Sequence, residues 1–292
     1  MIKTFPKISI VTPSLNQALF LEETILSVLD QDYPNLEYII IDGVSTDGSV
    51  DIIRKYADRL TYWVSEPDRG MYDAISKGFA ISSGEILAWI NSDDIYFDNA
   101  FHTVVDIFTQ IPEVDWITGR CGYIDSSGNF TDKARKKLYK RELLKRGFYK
   151  SPYSYVVNQN AVFWRRSLWE KVHGCDKNLK AAGDFVLWTK FAEFSELYFV
   201  DHVFSAFRRH ENQITKKSNA YLMESQPYVN LPTSTLLKIL LGKQYQGKVL
   251  IKNLEGHYEI QTEGLNPTYL KPLFIIRNLF ISFIKNSIKN NI

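Results

Sequence analysis

Apolar runs alternate with stretches of helical spacing along the first third of the chain. Ile8-Ser9-Ile10-Val11-Thr12 is a β-branched run halted at Pro13, and Tyr38-Ile39-Ile40-Ile41 is a continuous apolar run ended by Asp42-Gly43. Thr61 to Val64, Ile86 to Ile90 and Asp115 to Thr118 supply three more. β-Branched and aromatic side chains suit a pleated, half-buried surface, so these runs predict strands. Between them, Leu21, Ile25, Val28 and Leu29 recur at helical spacing, and residues 49–56, 71–81 and 98–110 read as helices. Strands alternating with helices of this length predict an α/β fold with a mainly parallel sheet flanked by helices. Fully apolar strands fit a sheet covered on both faces.

After residue 120 the pattern loosens. Residues 125–129 form a turn, and Val156 to Trp164 reads as a strand despite polar Asn158-Gln159-Asn160. Phe185 to Phe194 reads as a helix opening at Gly183-Asp184, and Tyr198 to Phe207 as one or two short strands. Residues 219–292 are predicted mostly helical, with breaks at prolines 227, 232, 267 and 272.

Composition narrows the class. The chain has 292 residues, 45% hydrophobic and 23% charged, which is ordinary for a globular protein and long enough to fold without disulfide or metal staples. Its net charge of +2 argues against nucleic-acid binding by bulk charge. That sum hides two basic regions. Residues 133–150 hold nine Lys/Arg against one Glu, and residues from 231 onward hold eight against three Glu. A basic run is usually a solvated helix face, but it also suits an anionic acceptor or a membrane surface. Leu270 to Ile284 is apolar but broken by Lys271, Pro272, Arg277 and Asn278, so it does not read as a spanning helix. It reads equally as an interfacial helix or as one packed on the core. Residues 133–150 and 270–292 are therefore the candidates for peripheral contact at the inner face of the cytoplasmic membrane. Cys121 and Cys175 lack metal-type spacing and read as reduced thiols. With no signal-like stretch over residues 1–6, the expectation is a cytoplasmic chain.

Chemistry gathers at the strand ends, where ligands bind in open α/β sheets. Those ends carry Thr12-Pro13-Ser14, Asp42-Gly43, Ser65-Glu66-Pro67-Asp68 and Asn91-Ser92-Asp93-Asp94. Adjacent side chains on an extended segment point to opposite sides, so one carboxylate of an Asp pair can face a ribose while the other ligates Mg²⁺ or Mn²⁺. A solvated turn is the plainer alternative. Asp42 suits hydrogen bonds from a base or sugar, or a turn, while Ser45 and Asp47 read as capping residues. Arg69 suits a phosphate, or serves to order Asp68. Asp73 and Asp184 stand at helix starts, where dipole compensation and N-capping are the ordinary roles. His210 reads as a surface histidine or a metal ligand.

Taken together, Ile8 to Ser14, Asp42-Gly43 with Ser45-Thr46-Asp47-Gly48-Ser49, and Ala80 to Asp94 resemble the family-2 glycosyltransferases with the GT-A fold. Residues 65–74 are similar to bacterial polysaccharide-assembly members. The resemblance covers residues 7–215. It implies a GT-A catalytic domain over 1–215, with a nucleotide-sugar half (1–120) and an acceptor half (121–215), followed by a basic helical extension (216–292). It also implies inverting transfer of a sugar from a nucleoside diphosphate, uridine by default, to a glycan or lipid-linked hydroxyl. Pro13 and Asp42 would line the base, with Thr12, Ser14 and Asp73 nearby and Asp68 and Arg69 at the border. Asp93 would contact the ribose, Asp94 and His210 would hold Mn²⁺ or Mg²⁺, and Asp184 would be the general base. The chain departs from the family at Ser92-Asp93-Asp94, in place of Asp-x-Asp, and at Gly183, where an acidic residue often stands.

Other classes fit less well. A sugar nucleotidyltransferase would carry a glycine-rich basic loop where this chain has Pro13-Ser14-Leu15-Asn16-Gln17. A dinucleotide oxidoreductase would carry G-x-G-x-x-G after a strand. An inactive nucleotide- or carbohydrate-binding module would not need Asp42, Asp93, Asp94 and Asp184 together.

Overall fold

The computed structural model describes residues 5–132, 135–150, 156–211, 213, 219–232, 234–235 and 246–264. The predicted alternation is present. β1 (Ile8–Ser14), α1 (Ala18–Leu29), β2 (Leu36–Asp42), α2 (Ser49–Lys55), β3 (Tyr62–Ser65), α3 (Met71–Ile81) and β4 (Ile86–Trp89) follow in order. A short β5 (Ile95–Tyr96), α4 (Ala100–Gln110), β6 (Trp116–Ile124) and β7 (Phe130–Asp132) come next. The second half holds α5 (Arg141–Lys145), β8 (Val162–Arg165), α6 (Arg166–Lys171), α7 (Gly183–Phe194), β9 (Tyr198–Arg208), α8 (Ala220–Ser225), β10 (Gln246–Lys252) and β11 (Tyr258–Gly264).

One sheet runs in the order β11-β10-β9-β6-β8-β4-β1-β2-β3. β3, β2, β1 and β4 are mutually parallel, as are β6, β9 and β10. β8 joins the two blocks by running antiparallel to both β4 and β6. The fold is thus mainly parallel and flanked by helices, as the pattern predicts. β2 shows why its run lacks alternation: Tyr38 to Ile41 are all at most 1% exposed because both faces are covered. The aromatic part of the core is Trp89, Trp116, Trp164, Trp188 and Phe191, packed ring against ring.

Three expectations change. Val156 to Trp164 is not one strand, because a 3₁₀ turn at Gln159–Ala161 precedes β8. In that turn Gln159 donates from Nε2 to the Trp89 carbonyl at 2.5 Å. Tyr198 to Arg208 is a single long strand, whose pairing with β6 slips at Arg120. Residues 246–264 form a β-hairpin instead of helix. Gly256, at φ +87°, supplies the turn, and Val249 and Leu250 pack inward. The period-two pattern of Tyr258, Ile260 and Thr262 carries that information. Residues 265–292, including the expected interfacial helix, lie outside the described residues. Of the described chain, no helix is long and apolar enough to cross a membrane.

The basic run is largely engaged in the fold. Lys136 pairs with Glu263 and Lys145 with Glu193, Arg141 donates to the carbonyls of Ala192 and Glu193, and buried Lys150 donates to Ser225.

Candidate active site

Register places the first cluster. Ser14 lies opposite Asp42 across β1 and β2, and Asp42 opposite Ser65 across β2 and β3. Asp42 is fully buried, and its carboxylate accepts from the Ser45 amide (2.9 Å), the Ser45 hydroxyl (2.5 Å) and the Ser65 hydroxyl (2.6 Å). Those bonds hold the turn after β2, where Val44 takes φ +65°. A left-handed β-branched residue is a strained conformation of the kind that collects at binding sites. Gly43 lets Asp68 approach, because a Cβ there would lie 2.8 Å from Asp68 Oδ2. Asp68 also accepts from the Gly70 amide at 2.7 Å.

Ser45 and Asp47 cap more than their own turn. Ser45 accepts from the Asn16 amide, and Asp47 accepts from both Ser49 and the Ala18 amide at the start of α1. The loop after β2 therefore caps the helix after β1, ordering both sides of the strand ends.

Two of the residues expected near the nucleotide are engaged within the protein. Thr12 is fully buried, and its hydroxyl meets Tyr38 Oη at 3.0 Å inside the core. Asp73 takes the ordinary helix-start role. It accepts from the Arg69 amide (3.1 Å) and guanidinium (3.0 Å), and the Arg69 contact holds its carboxyl below the usual range. Arg69 remains exposed, its side chain turned along α3.

The two carboxylates of the Asp pair point to different partners. Asp94 is 1% exposed and points inward, where its Oδ1 accepts from the Arg208 amide at 2.9 Å. Its Oδ2 is buried without a hydrogen bond. Burial, and then the neighbouring charge of Asp93, push this carboxyl well above its ordinary value. Asp93 instead points toward His210, with 2.9 Å between Oδ2 and Nε2. Arg208 fixes the turn from below. Its side chain, 1% exposed, donates to the Asp93 carbonyl (2.8 Å), the Asp125 carbonyl (3.2 Å) and Glu23 (2.5 Å). Asn91 Oδ1 is buried and unpartnered beside this turn.

Among the described residues no three His, Cys, Asp or Glu side chains converge as a closed metal site. Asp93 and His210 nevertheless suit an open one. Their ligand atoms already face each other, and Mn²⁺ accepts a carboxylate and an imidazole while keeping positions for phosphate oxygens and water.

Asp184 lies half-buried in the first turn of α7. Its Oδ1 accepts from the Phe185 amide at 2.7 Å and from Tyr72 Oη at 3.3 Å. Burial raises its carboxyl to about 6, against a partial offset from those two bonds. That value suits a base working near neutral pH. Gly183 has a packing reason: a Cβ there would lie 2.7 Å from the Tyr72 ring. The α7 helix is tied to β4, the strand that leads into the Asp93 turn, through Trp188, which stacks on Trp89 at 5.7 Å. Tyr72, Arg208 and Asn91 were not singled out from the sequence. Tyr72 lies within residues 65–74, but its partner is 112 positions away.

Residues 9–171 match the model of glycosyl transferase family 2. The chain belongs to that family. It is 29% identical over 237 residues to an uncharacterized glycosyltransferase of Rickettsia typhi, covering 80% of this chain and 73% of that one. In structure it is similar to residues 1–349 of Staphylococcus aureus TarS in complex with UDP-GlcNAc (TM-score 0.59, 15% identity), covering 80% of this chain and 65% of that one. It is also similar to a Pyrobaculum calidifontis mannosyltransferase in complex with GDP-Man and Mn²⁺ (TM-score 0.54, 20% identity), covering 72% of this chain and 59% of that one. As a family-2 member with a GT-A-like fold, the chain is a glycosyltransferase.

Proposed function

We propose that this glycosyltransferase moves a sugar, with inversion, from a nucleoside diphosphate to a hydroxyl of a glycan or lipid-linked acceptor in cell-surface polysaccharide assembly. The observation that carries this is the set of separate carboxylates around one sheet edge. Asp42 is hydrogen-bonded at the end of β2, Asp93 faces His210 at the end of β4, and Asp184 is raised to about 6 on α7.

Each takes a role that its surroundings favour. Pro13, Ser14, Asp42 and Asp68 border the base and ribose. Asn91, just after β4, has a buried side-chain oxygen with no hydrogen-bond partner. Asp93 and His210 hold Mn²⁺ or Mg²⁺, and Asp94 serves as the buried support of Asp93. When bound, such an ion neutralises the charge that builds on a diphosphate leaving group. Asp184 takes the proton from the acceptor hydroxyl as that oxygen attacks the anomeric carbon from the opposite face. Tyr72 and Gly183 fix the direction of its carboxyl. Holding donor and acceptor in line contributes much of the rate. UDP-GlcNAc and GDP-mannose, which the two structural neighbours bind, are the first donors to test. The domain division follows the same reading: residues 1–120 hold the donor, 121–215 the acceptor side, and 216–292 extend it.

A thermal-shift panel of UDP, GDP and dTDP, with and without Mn²⁺, tests the reading. A nucleotide at a hundred times its Kd stabilises by about 2.7 kcal/mol, so the matching base separates from the others. No shift with any nucleotide, with or without the ion, overturns it.

A further inference from the structure

We propose that Glu224, on α8 beyond the stretch matched by the family, is a positioning residue for Asp184. The inference rests on the reading of Asp184 as the base. Glu224 Oε1 accepts from the Lys180 amide at 2.8 Å, and Oε2 from the amides of Ala181 and Ala182 at 2.9 Å each. Three successive backbone donors leading into α7 are thus satisfied by one side chain from a separate segment. The first N–H groups of a helix otherwise lack partners, and they favour negative charge. α7 has no cap from its own flank: Ala182, at the N-cap position, makes no side-chain hydrogen bond. Glu224 takes the amide of the N-cap residue Ala182 and the two before it, and so sets a carboxylate beside the helix start.

The segment it grips connects the two halves of the site. Asp184 follows two residues after Ala182, and Gly183 between them packs on the Tyr72 ring. Lys180 reaches the other way and donates from Nζ to the Arg69 carbonyl. Arg69 in turn binds Asp73 at the start of α3, which also carries Tyr72. Releasing residues 180–182 would therefore loosen the base and the 68–73 loop together. A displacement of about 1 Å at a reacting group can cost on the order of a hundredfold in rate.

α8 is anchored independently of Glu224. Lys150 donates to the Ser225 hydroxyl at 2.8 Å, and Tyr221 packs edge-on against Phe185 at 6.2 Å. Removing the carboxylate thus tests the grip without removing the helix.

The experiment compares the full chain with Glu224→Ala and Glu224→Gln by hydrogen–deuterium exchange and by Mn²⁺-dependent hydrolysis of UDP-GlcNAc and GDP-mannose. In Glu224→Ala, amides 180–182 are expected to exchange about tenfold faster or more, residues 68–73 to follow, and strand β2 to stay unchanged. Hydrolysis should fall about tenfold or more while nucleotide Kd stays within about threefold. Glu224→Gln, which keeps one acceptor oxygen, should be intermediate in both. Unchanged exchange at 180–182, equal acceleration in β2, or full turnover by the folded Ala variant overturns the proposal. If the wild-type chain hydrolyses neither donor, that counts against the assigned chemistry, and the exchange data still decide the grip.

Discussion

His210 Nε2 lies 2.9 Å from Asp93 Oδ2, although 117 positions separate them. β9 ends at Arg208, and its amide and side chain hold the Asp93-Asp94 turn against the strand that delivers His210. The pair is thereby a product of sheet order, since β5 beside this turn hydrogen-bonds to β9.

Asp93 and Asp94 should fail in different ways. Asp93→Asn should abolish the stabilisation that Mn²⁺ adds to nucleotide binding, with little change in the melting temperature of the free chain. Asp94→Ala strands the buried Arg208 amide and should cost about 1–3 kcal/mol of stability. Thermal melts with and without Mn²⁺ and nucleotide separate the two. Loss of the Mn²⁺ effect in a well-folded Asp94→Ala, with Asp93→Asn retaining it, would return the metal role to Asp94.

Asp184 sets a pH dependence in rate and stability of opposite sign. The ionised base is the active form, so turnover should rise with pH through about 6 and then level off. Its folded value lies above the ordinary 3.8, so the folded state binds the proton more tightly than the unfolded state. Stability from this group is therefore full below about pH 4 and is lost as pH rises through about 6. Asp184→Asn should remove turnover and raise stability at pH 7.5, by up to about 3 kcal/mol. Donor binding should persist, and its loss would assign Asp184 a structural role.

Tyr72 and Gly183 test how the base is aimed. Tyr72→Phe keeps the ring and removes a bond that lowers the Asp184 value, so the apparent pKa of turnover should rise above about 6. Gly183→Ala forces a methyl group against that ring and should cost about 1–3 kcal/mol, with a larger loss of turnover. A pH profile of each variant checks both. A Gly183→Ala chain as active as wild type would show that the ring can move aside freely.

Arg208→Lys should weaken the Asp93-Asp94 turn. Lysine keeps the charge but cannot span Asp93, Asp125 and Glu23 at once. Each hydrogen bond of this charged group that lysine leaves unmade costs about 1.5–3 kcal/mol. The melting temperature should fall, and the Mn²⁺-dependent shift should shrink with it. An unchanged Mn²⁺ shift in a destabilised variant would confine Arg208 to the fold.

The strands and helices of the first half were legible because each pattern is local. The run at residues 38–41 and the helical spacing through residues 71–81 state their own burial. The hairpin at residues 246–264 was not read correctly: its short alternation at Tyr258, Ile260 and Thr262 lies among prolines that suggest broken helices. Asp42 and Asp184 could be singled out because a carboxylate at a strand end or a helix start has few roles. By itself, then, the sequence determined the α/β alternation, the strand-end edge, the family resemblance and the candidate carboxylates. Tertiary structure decided which carboxylate of the adjacent pair is accessible, since Asp93 and Asp94 differ by the partner that β9 brings and not by residue type. It also decided that Thr12 turns into the core, that Tyr72 meets Asp184, and that Glu224 grips the entry to α7. Each of these depends on a contact across 26 or more positions, and spacing along the chain carries no record of such contacts.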